Sequence, residues 1–332
     1  MKSHIADKEI SNVLHKALAS GSFKPETDTA AIFYDLDFLE ERVQDLIHLF
    51  PEDTLHAIAI KANPLVRILE KMTTPRVGSE AASLPELHLS MEAGFSPDTI
   101  VFDSPCKTKE ELRFAMEKGV HINADSMDEL KRIENLLKDV RTESSFGIRI
   151  NPQVGTGAIK STSVAGDISK FGVPIETNRD KLVDAFQKYP WLNGVHLHIG
   201  SQGMPVELLT KGVRKVMDLV LEINQKYDNP KGSQRIFIFD MGGGLAISYR
   251  KDLEALSMKD YREALEKEVP ELFNGNFKII TEFGRYIHTN TAWAASRVEY
   301  VKREPGYNII MSHLGADFML RECYNPQDWH HE

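Results

Sequence analysis

The chain has 332 residues, a formal net charge of −9 and 42% hydrophobic residues. This length and composition predict a globular protein of one large or two ordinary domains with a substantial core. The negative charge argues against non-specific binding to nucleic acid, which requires clustered lysine and arginine. Two cysteines, Cys106 and Cys323, are too few for a disulfide scaffold, and no apolar run reaches the length of a membrane span. We therefore expect a cytoplasmic protein with no membrane or nucleic-acid partner.

Short apolar runs alternate with helical patterns along the chain. Most of these runs are almost uninterrupted, which is typical of strands that are covered on both faces. A first strand is predicted over 30–35, and it leads into a helix over 36–50. Eight further runs predict strands at 55–60, 76–78, 99–102, 121–123, 146–150, 195–199, 236–239 and 277–281.

Helical patterns fill most of the intervals between these runs. Thr108-x-x-Glu111 and Ser126-x-x-Glu129 have the spacing of helix N-terminal capping motifs, and Gly119 is placed to end the first of these two helices. Apart from the helix over 36–50 and the one that begins at Ser126, the predicted helices span 65–72, 84–93, 108–118, 206–227 and 261–269.

Eight strands that alternate with helices predict an α/β fold with a parallel sheet. The number of strands favours a closed (β/α)8 TIM barrel over the alternative, a doubly wound sheet, whose usual Gly-x-Gly-x-x-Gly motif is absent. Beyond residue 289 the pattern is typical of strands again, over 292–301 and 307–311. We predict an N-terminal segment over 1–35, a barrel over 36–288, and the beginning of an incomplete β-rich domain over 289–332, with which the N-terminal segment associates.

Charged residues lie at the predicted carboxyl ends of the strands, where barrels of this kind carry their chemistry. They include Lys61, Glu80, Arg149, His198 and Glu282. Burial at a strand end would lower the pKa of a lysine and so permit imine chemistry. The alternative is a lysine that simply extends into solvent.

Two further patterns have more than one interpretation. Gly242-Gly243-Gly244 follows a predicted strand, and it suits either the close approach of an anion such as phosphate or a tight turn. His196 and His198 share one face of a predicted strand and form half of a possible metal site. No matching ligand pair is evident at a neighbouring strand end, so we predict no metal and keep a metal-dependent hydrolase as a minor alternative.

Four motifs occur in a fixed order: Lys61-Ala62-Asn63-Pro64, His198-Ile199-Gly200-Ser201-Gln202, Asp240-Met241-Gly242-Gly243-Gly244 and Glu282-Phe283-Gly284-Arg285. Together they resemble the fold-type III pyridoxal-phosphate decarboxylases, the group that holds diaminopimelate, ornithine and biosynthetic arginine decarboxylases. The chain is most similar to the diaminopimelate branch, from about residue 30 to residue 301. The resemblance implies a barrel of the alanine racemase type.

The resemblance also implies a role for each matching residue. Lys61 would form an aldimine with pyridoxal 5′-phosphate, and α-decarboxylation of an amino acid would proceed through a quinonoid intermediate. His198 would stack on the cofactor ring, and Glu282 would pair with the ring nitrogen. The other cofactor-binding residues implied are Glu80, Arg149, Ser201, Gly242, Gly243, Gly244, Gly284 and Arg285.

The sequence departs from the family pattern at several positions. Glu80 stands where an aspartate is usual, and Phe283 stands where a proline is usual. His313 or Asp317 takes the place of an aspartate that shapes the substrate pocket. Specificity is therefore predicted only as far as an amino acid.

The resemblance implies a homodimer whose second domain supplies a cysteine–aspartate pair to the shared sites. The chain does not match that pair, because Cys323 precedes Tyr324. The alternatives are a partner chain that completes the β-rich domain, or a cofactor-binding regulatory homologue that lacks full activity alone. A racemase of the same fold is less favoured, because racemases resemble one another in placing an arginine, not a carboxylate, at the ring nitrogen.

Overall fold

The computed structural model of the protein describes residues 3–227, 234–253, 255–327 and 329. Residues 1–2 and 330–332, the outer ends of the first and last predicted domains, lie outside the described residues. The described residues belong to two compact units. The larger unit comprises Arg42–Ile247 and Leu256–Ile287, and the smaller unit comprises Met1–Glu41, Ser248–Ala255 and His288–Glu332.

The secondary structure alternates between strands and helices through most of the chain. In chain order the strands are β1 (Ala30–Tyr34), β2 (Leu55–Ala59), β3 (Val77–Ala81), β4 (Ile100–Phe102), β5 (His121–Ala124), β6 (Phe146–Asn151), β7 (Val173–Pro174), β8 (Leu192–His196), β9 (Ile238–Asp240), β10 (Lys278–Thr281), β11 (Ala292–Ser296), β12 (Val298–Glu304) and β13 (Tyr307–Ser312). The α-helices are α1 (Asp7–Ser20), α2 (Leu36–Leu49), α3 (Val66–Glu70), α4 (Leu84–Glu92), α5 (Lys109–Lys118), α6 (Met127–Leu136), α7 (Ile175–Lys188), α8 (Val206–Lys226), α9 (Met258–Glu268), α10 (Gly284–His288) and α11 (Leu320–Tyr324).

Eight parallel strands of the larger unit close into a barrel. Their order is β5-β4-β3-β2-β10-β9-β8-β6, and pairing of β6 with β5 completes the ring. The two-residue strand β7 pairs with β6 outside that ring. Every residue of β2, β3 and β5 is buried, as expected for strands covered on both faces. The predicted (β/α)8 barrel is confirmed, and parallel pairing brings the carboxyl ends of its strands to one rim.

The predicted caps determine where α5 and α6 begin. The Thr108 hydroxyl accepts a hydrogen bond from the Glu111 amide, and the Glu111 carboxylate accepts one from the Thr108 amide. Gly119 ends α5 in the left-handed conformation that glycine adopts without strain. Ser126 caps α6 through the Glu129 amide, whereas the Glu129 carboxylate accepts from the amide of Asp125.

The structure corrects the predicted strand at 195–199. The sheet contains Leu192–His196 instead, and the chain leaves it after His196. The Ile199 carbonyl accepts from the amide of Val164, which belongs to a loop and not to a strand of the sheet. Helices α1, α7 and α11 were not predicted. In α7 the backbone at Asn178 is not helical, and this break interrupts the periodicity by which a helix is recognised.

The smaller unit contains two antiparallel strand pairs. Strand β1 pairs with β11, and the rings of Phe33 and Trp293 stack at 4.2 Å between centroids. Strands β12 and β13 form a hairpin that turns at Gly306. The predicted run over 292–301 is therefore two strands, which separate at Arg297, where the backbone amide binds the Thr29 carbonyl.

Among the described residues, no helix has both the length and the apolar composition needed to cross a membrane.

Candidate active site

The predicted cofactor-binding side chains lie in the larger unit, at or near the carboxyl ends of the barrel strands. Lys61 lies in a single helical turn that directly follows β2, and Glu80 is the penultimate residue of β3. Glu282 is the first residue after β10. Because β2 pairs with both β3 and β10, these three residues follow neighbouring strands.

Lys61 forms an ion pair with Glu80, with 2.6 Å between Nζ and Oε2. The Lys61 side chain is 53% exposed, whereas the Glu80 side chain is fully buried. A buried carboxylate therefore binds the amine, while about half of the Lys61 side chain remains accessible to a ligand. The longer glutamate side chain, which replaces the aspartate expected from the resemblance, reaches the amine directly.

The pKa of Lys61 is opposite to the sequence-based expectation. Burial opposes the charge of the ammonium group, but the acids around it, Glu80 and then Asp103 foremost, outweigh burial and raise the Lys61 pKa above its ordinary value. The prediction of a lowered pKa was wrong because it considered the desolvation of a strand end without the acids that neighbouring strands bring there.

Glu282 is buried, and its Oε1 atom has no hydrogen-bond partner among the described residues. Its Oε2 atom lies 3.7 Å from Nε2 of His196. Burial, followed by the negative charge of Asp103, raises the pKa of Glu282 to about 8. At neutral pH the carboxyl group therefore holds a proton in the absence of a partner.

Asp103 belongs to this cluster, although sequence reasoning missed it. It directly follows β4 and is 5% exposed. Its Oδ2 atom lies 3.8 Å from Nε2 of His196 and 3.9 Å from Nη1 of Arg149. The same rule that identified Glu282, a carboxylate immediately after a buried strand, would have identified Asp103.

Arg149 lies inside the barrel on β6, where it is 6% exposed. Its guanidinium group lies between two carboxylates, 3.9 Å from Asp103 and 3.9 Å from Asp125. The guanidinium carbon also lies 4.4 Å from the centroid of the Phe171 ring. These contacts hold a permanent positive charge beside the acidic cluster.

His198 follows β8 and faces the glycine segment after β9. Its Nδ1 atom accepts a hydrogen bond from the Gly243 amide at 3.3 Å. Burial, together with the positive charges of Arg149 and Lys61, lowers the His198 pKa well below its ordinary value. The imidazole is therefore neutral at neutral pH.

The three glycines after β9 pack against two neighbouring strand ends. A Cβ atom on Gly243 would overlap the Glu282 carbonyl, and one on Gly244 would overlap the Gly200 carbonyl. Gly244 also has a φ of +111°, which other residues rarely adopt. Beside this segment, Nε of Arg285 donates to Oγ of Ser201 at 3.0 Å.

The remaining candidate residues lie elsewhere or in a different arrangement. His313 and Asp317 belong to the smaller unit, where Nε2 of His313 lies 3.2 Å from a Glu299 carboxylate oxygen. Their role in a substrate pocket stays a prediction. Within the described part of the chain, the buried group with metal-ligand geometry consists of Asp103, His196 and Glu282. It includes His196 but not His198, so the predicted histidine pair is not the group that the fold assembles.

The chain is similar in sequence to a known protein family and to characterised decarboxylases. Residues 36–289 match the family model described as "Pyridoxal-dependent decarboxylase, pyridoxal binding domain". The chain is 30% identical to a diaminopimelate decarboxylase of Archaeoglobus fulgidus over 89% of this chain and 70% of that protein. It is 28% identical to the L-glutamyl-[BtrI acyl-carrier protein] decarboxylase of Niallia circulans, over 84% of this chain and 65% of that protein.

The fold is also similar to a solved structure of M. jannaschii diaminopimelate decarboxylase in complex with L-lysine. The TM-score is 0.81 at 25% sequence identity, over 96% of this chain and 73% of that chain.

We expect Glu282→Gln to change how stability depends on pH in the cofactor-free protein. The folded protein keeps a proton on Glu282 up to about pH 8, whereas the unfolded chain releases it near the ordinary value of 4.5. The stabilisation that Glu282 contributes is therefore present in full below the unfolded pKa. It decreases by ~1.4 kcal/mol for each pH unit between the two pKa values, and it is lost once the pH has risen through the folded pKa.

Urea unfolding at a series of pH values between these two pKa values measures this loss. The free energy of unfolding of the Glu282→Gln variant should fall less over this range than that of the wild type. Glu117→Gln, a change at an exposed carboxylate of α5, should leave the wild-type slope unchanged. Equal slopes for wild type and Glu282→Gln would contradict the raised pKa.

Proposed function

Because the chain belongs to the pyridoxal-dependent decarboxylases, which use pyridoxal 5′-phosphate as cofactor, we propose that it removes the α-carboxylate of an amino acid and that diaminopimelate is this substrate. The observation that carries the proposal is the presence of a half-exposed lysine, Lys61, and a buried carboxyl, Glu282, at the ends of the adjacent strands β2 and β10. The names of several relatives support diaminopimelate as substrate.

The residues present fit this cofactor. The Glu282 Oε1 atom is buried without a hydrogen-bond partner among the described residues, as expected for a group that awaits a ring nitrogen. Glycine at 242–244 packs closely against neighbouring strand ends, where side chains would collide. The Gly242 and Gly243 amides donate to Asp240 and His198, so the Gly244 amide is the one proposed to approach a phosphate. Ser201 and Arg285 add a hydroxyl and a positive charge beside these amides. We propose that these residues, with Gly284, bind the phosphate group.

Pyridoxal phosphate, when bound, supplies a ring that accepts the electron pair left at Cα as carbon dioxide departs. Glu282 is proposed to donate its proton to the ring nitrogen and to remain beside it as a carboxylate. A carboxylate about 4 Å from a positive ring contributes roughly 4 kcal/mol at an effective dielectric constant of about 20. This charge favours decarboxylation over the racemase alternative, because it keeps the ring electron-poor.

The other polar groups of the rim orient the reaction. Lys61 is proposed to bind the cofactor covalently through Nζ, after losing a proton, with Glu80 as the adjacent carboxylate. The neutral His198 imidazole is proposed to stack on the ring, and its hydrogen bond from Gly243 fixes its orientation. Arg149 is proposed to balance the negative charge of the buried acids.

We further propose the domain division predicted from the sequence: an N-terminal segment over 1–35, a cofactor-binding barrel over 36–288 and the beginning of a β-rich domain over 289–332. Pairing of β1 with β11 supports an association of the first segment with the last. Both cysteines, Cys106 and Cys323, are free, which agrees with the proposed reducing compartment, the cytoplasm.

The protein is also proposed to act as a homodimer. In the hairpin of β12 and β13, apolar side chains are exposed on both faces, among them Val301 on one face and Tyr300 on the other. An isolated two-stranded hairpin is only marginally stable in water, so further packing is expected. The hairpin also carries charges of both signs, Lys302 and Arg303 beside Glu304, which a two-fold contact with a second copy could pair.

Lys61→Ala should abolish covalent attachment of the cofactor, because this change removes the amine. After incubation with pyridoxal phosphate and borohydride reduction, mass spectrometry of peptides should locate the adduct on Lys61 of the wild type. Lys107→Ala is a matched control, since Lys107 is a buried lysine that already binds backbone carbonyls and Glu129. An adduct on another lysine, or none in the wild type, would contradict the proposed site.

Release of carbon dioxide from a panel of amino acids tests the substrate. Diaminopimelate should react faster than lysine, ornithine or arginine, and Lys61→Ala should lower the rate by at least about a thousandfold, because covalent catalysis is lost. A cofactor-loaded protein that releases carbon dioxide from none of them would favour the regulatory alternative. Preference for another amino acid would overturn diaminopimelate as substrate while leaving the reaction class intact.

Val301→Lys combined with Ile310→Lys should weaken self-association, because the two side chains pair across the hairpin and each would place a charge in an apolar contact. Sedimentation equilibrium measures the molar mass. Val13→Lys, a change at a similarly exposed apolar residue of α1, should leave the dimer intact. A monomeric wild type would refute the homodimer and leave a partner chain as the alternative.

A further inference from the structure

One imidazole lies between two carboxyl groups at the centre of the rim. Nε2 of His196 is 3.8 Å from Oδ2 of Asp103 and 3.7 Å from Oε2 of Glu282. His196 is the last residue of β8, and the two acids directly follow β4 and β10. All three side chains are more than nine-tenths buried, so water does not compete freely for their polar atoms.

The imidazole offers a single proton to these two groups. Burial lowers the pKa of His196, so the ring is neutral and carries one N–H. Placing that proton on Nε2 is favoured, because the lone pair of Nε2 would otherwise face the ionised carboxylate of Asp103. Neither oxygen is within hydrogen-bond distance of Nε2, and a shift of less than one ångström would bring either one into it. Asp103 and Glu282 are therefore alternative acceptors for one hydrogen bond.

The two acids differ in charge. Burial opposes ionisation of Asp103, but the positive charges of Lys61 and Arg149 hold the Asp103 pKa below its ordinary range. Glu282, in contrast, keeps its proton up to about pH 8. An ionised acceptor forms the stronger hydrogen bond, so Asp103 is the preferred partner of His196.

We propose that Asp103 is a positioning residue that accepts the ring proton of His196 and thereby leaves the Glu282 carboxyl available to the cofactor's ring nitrogen. The proposal rests on the proposed function, because it concerns how Glu282 receives the cofactor. Without Asp103, a shift of less than one ångström would bring His196 into hydrogen-bond distance of Glu282. That hydrogen bond to Oε2 would fix the orientation of the carboxyl group, and the incoming ring nitrogen would have to reorient the group to meet Oε1.

A double-mutant cycle tests this competition. Asp103→Leu removes the acceptor at similar size, and His196→Leu removes the donor. The dissociation constant of pyridoxal phosphate, measured by equilibrium dialysis, should rise about tenfold or more in Asp103→Leu, the effect of a hydrogen bond to a charged group. His196→Leu should stay within about threefold of wild type, and adding Asp103→Leu to it should cause no further loss.

Two more variants separate positioning from general damage. Asp103→Asn keeps an acceptor oxygen and should weaken binding less than Asp103→Leu. Asp125→Leu removes the other carboxylate that lies 3.9 Å from Arg149, and any loss it causes should persist in the His196→Leu background. Circular dichroism and thermal unfolding establish that each variant folds, and Asp103→Ala replaces the leucine variant if that one does not.

The outcomes are distinguishable. A wild type that does not bind pyridoxal phosphate refutes the proposed function itself. A wild type that binds, together with an Asp103→Leu variant that binds equally well, refutes the role of Asp103. The role of Asp103 is also refuted if Asp103→Leu weakens pyridoxal phosphate binding by the same factor in the His196→Leu background. It is refuted as well if Asp103→Asn binds the cofactor as weakly as Asp103→Leu.

Discussion

The ion pair between Lys61 and Glu80 is the contact on which the rest of the site depends. It joins Lys61, whose side chain is half-exposed, to the fully buried carboxylate of Glu80 at a distance of 2.6 Å. Burying Glu80, Asp103 and Glu282 close to one another would be prohibitive if all three were charged and unpaired. The nearby cations Lys61 and Arg149, together with a retained proton on Glu282, make this arrangement possible.

Such a site is prepared for a ligand that brings charge of its own. A ring nitrogen that accepts a proton from Glu282 would leave a carboxylate facing a positive ring, which satisfies a carboxyl oxygen that otherwise has no partner among the described residues. A phosphate group, in turn, would meet the Gly244 amide and the side chain of Arg285. The polar groups of the rim thus correspond to opposite ends of one cofactor, and the barrel holds them at the ends of rigid strands.

The comparisons and the geometry both support pyridoxal-dependent decarboxylation. The family model covers the barrel, and the solved relatives share its fold. The relatives nevertheless include a decarboxylase of a carrier-bound glutamyl group beside the diaminopimelate enzymes. We therefore assign the proposed chemistry to the barrel rim and the choice of substrate to residues around it, among which His313 and Asp317 are still predictions.

Much of the fold and part of the site follow from the sequence alone. Uninterrupted apolar runs predict the barrel strands because both faces are covered, and local capping places the start of α5 at Thr108. The ordered motifs predict Lys61, Glu282 and Arg285 as site residues, through the resemblance to a family whose cofactor each of them would contact. Only the tertiary structure brings Asp103 and His196 to Glu282, since they come from three different strands. Only the tertiary structure raises the Lys61 pKa, because a pKa depends on burial and on charges that distant segments contribute.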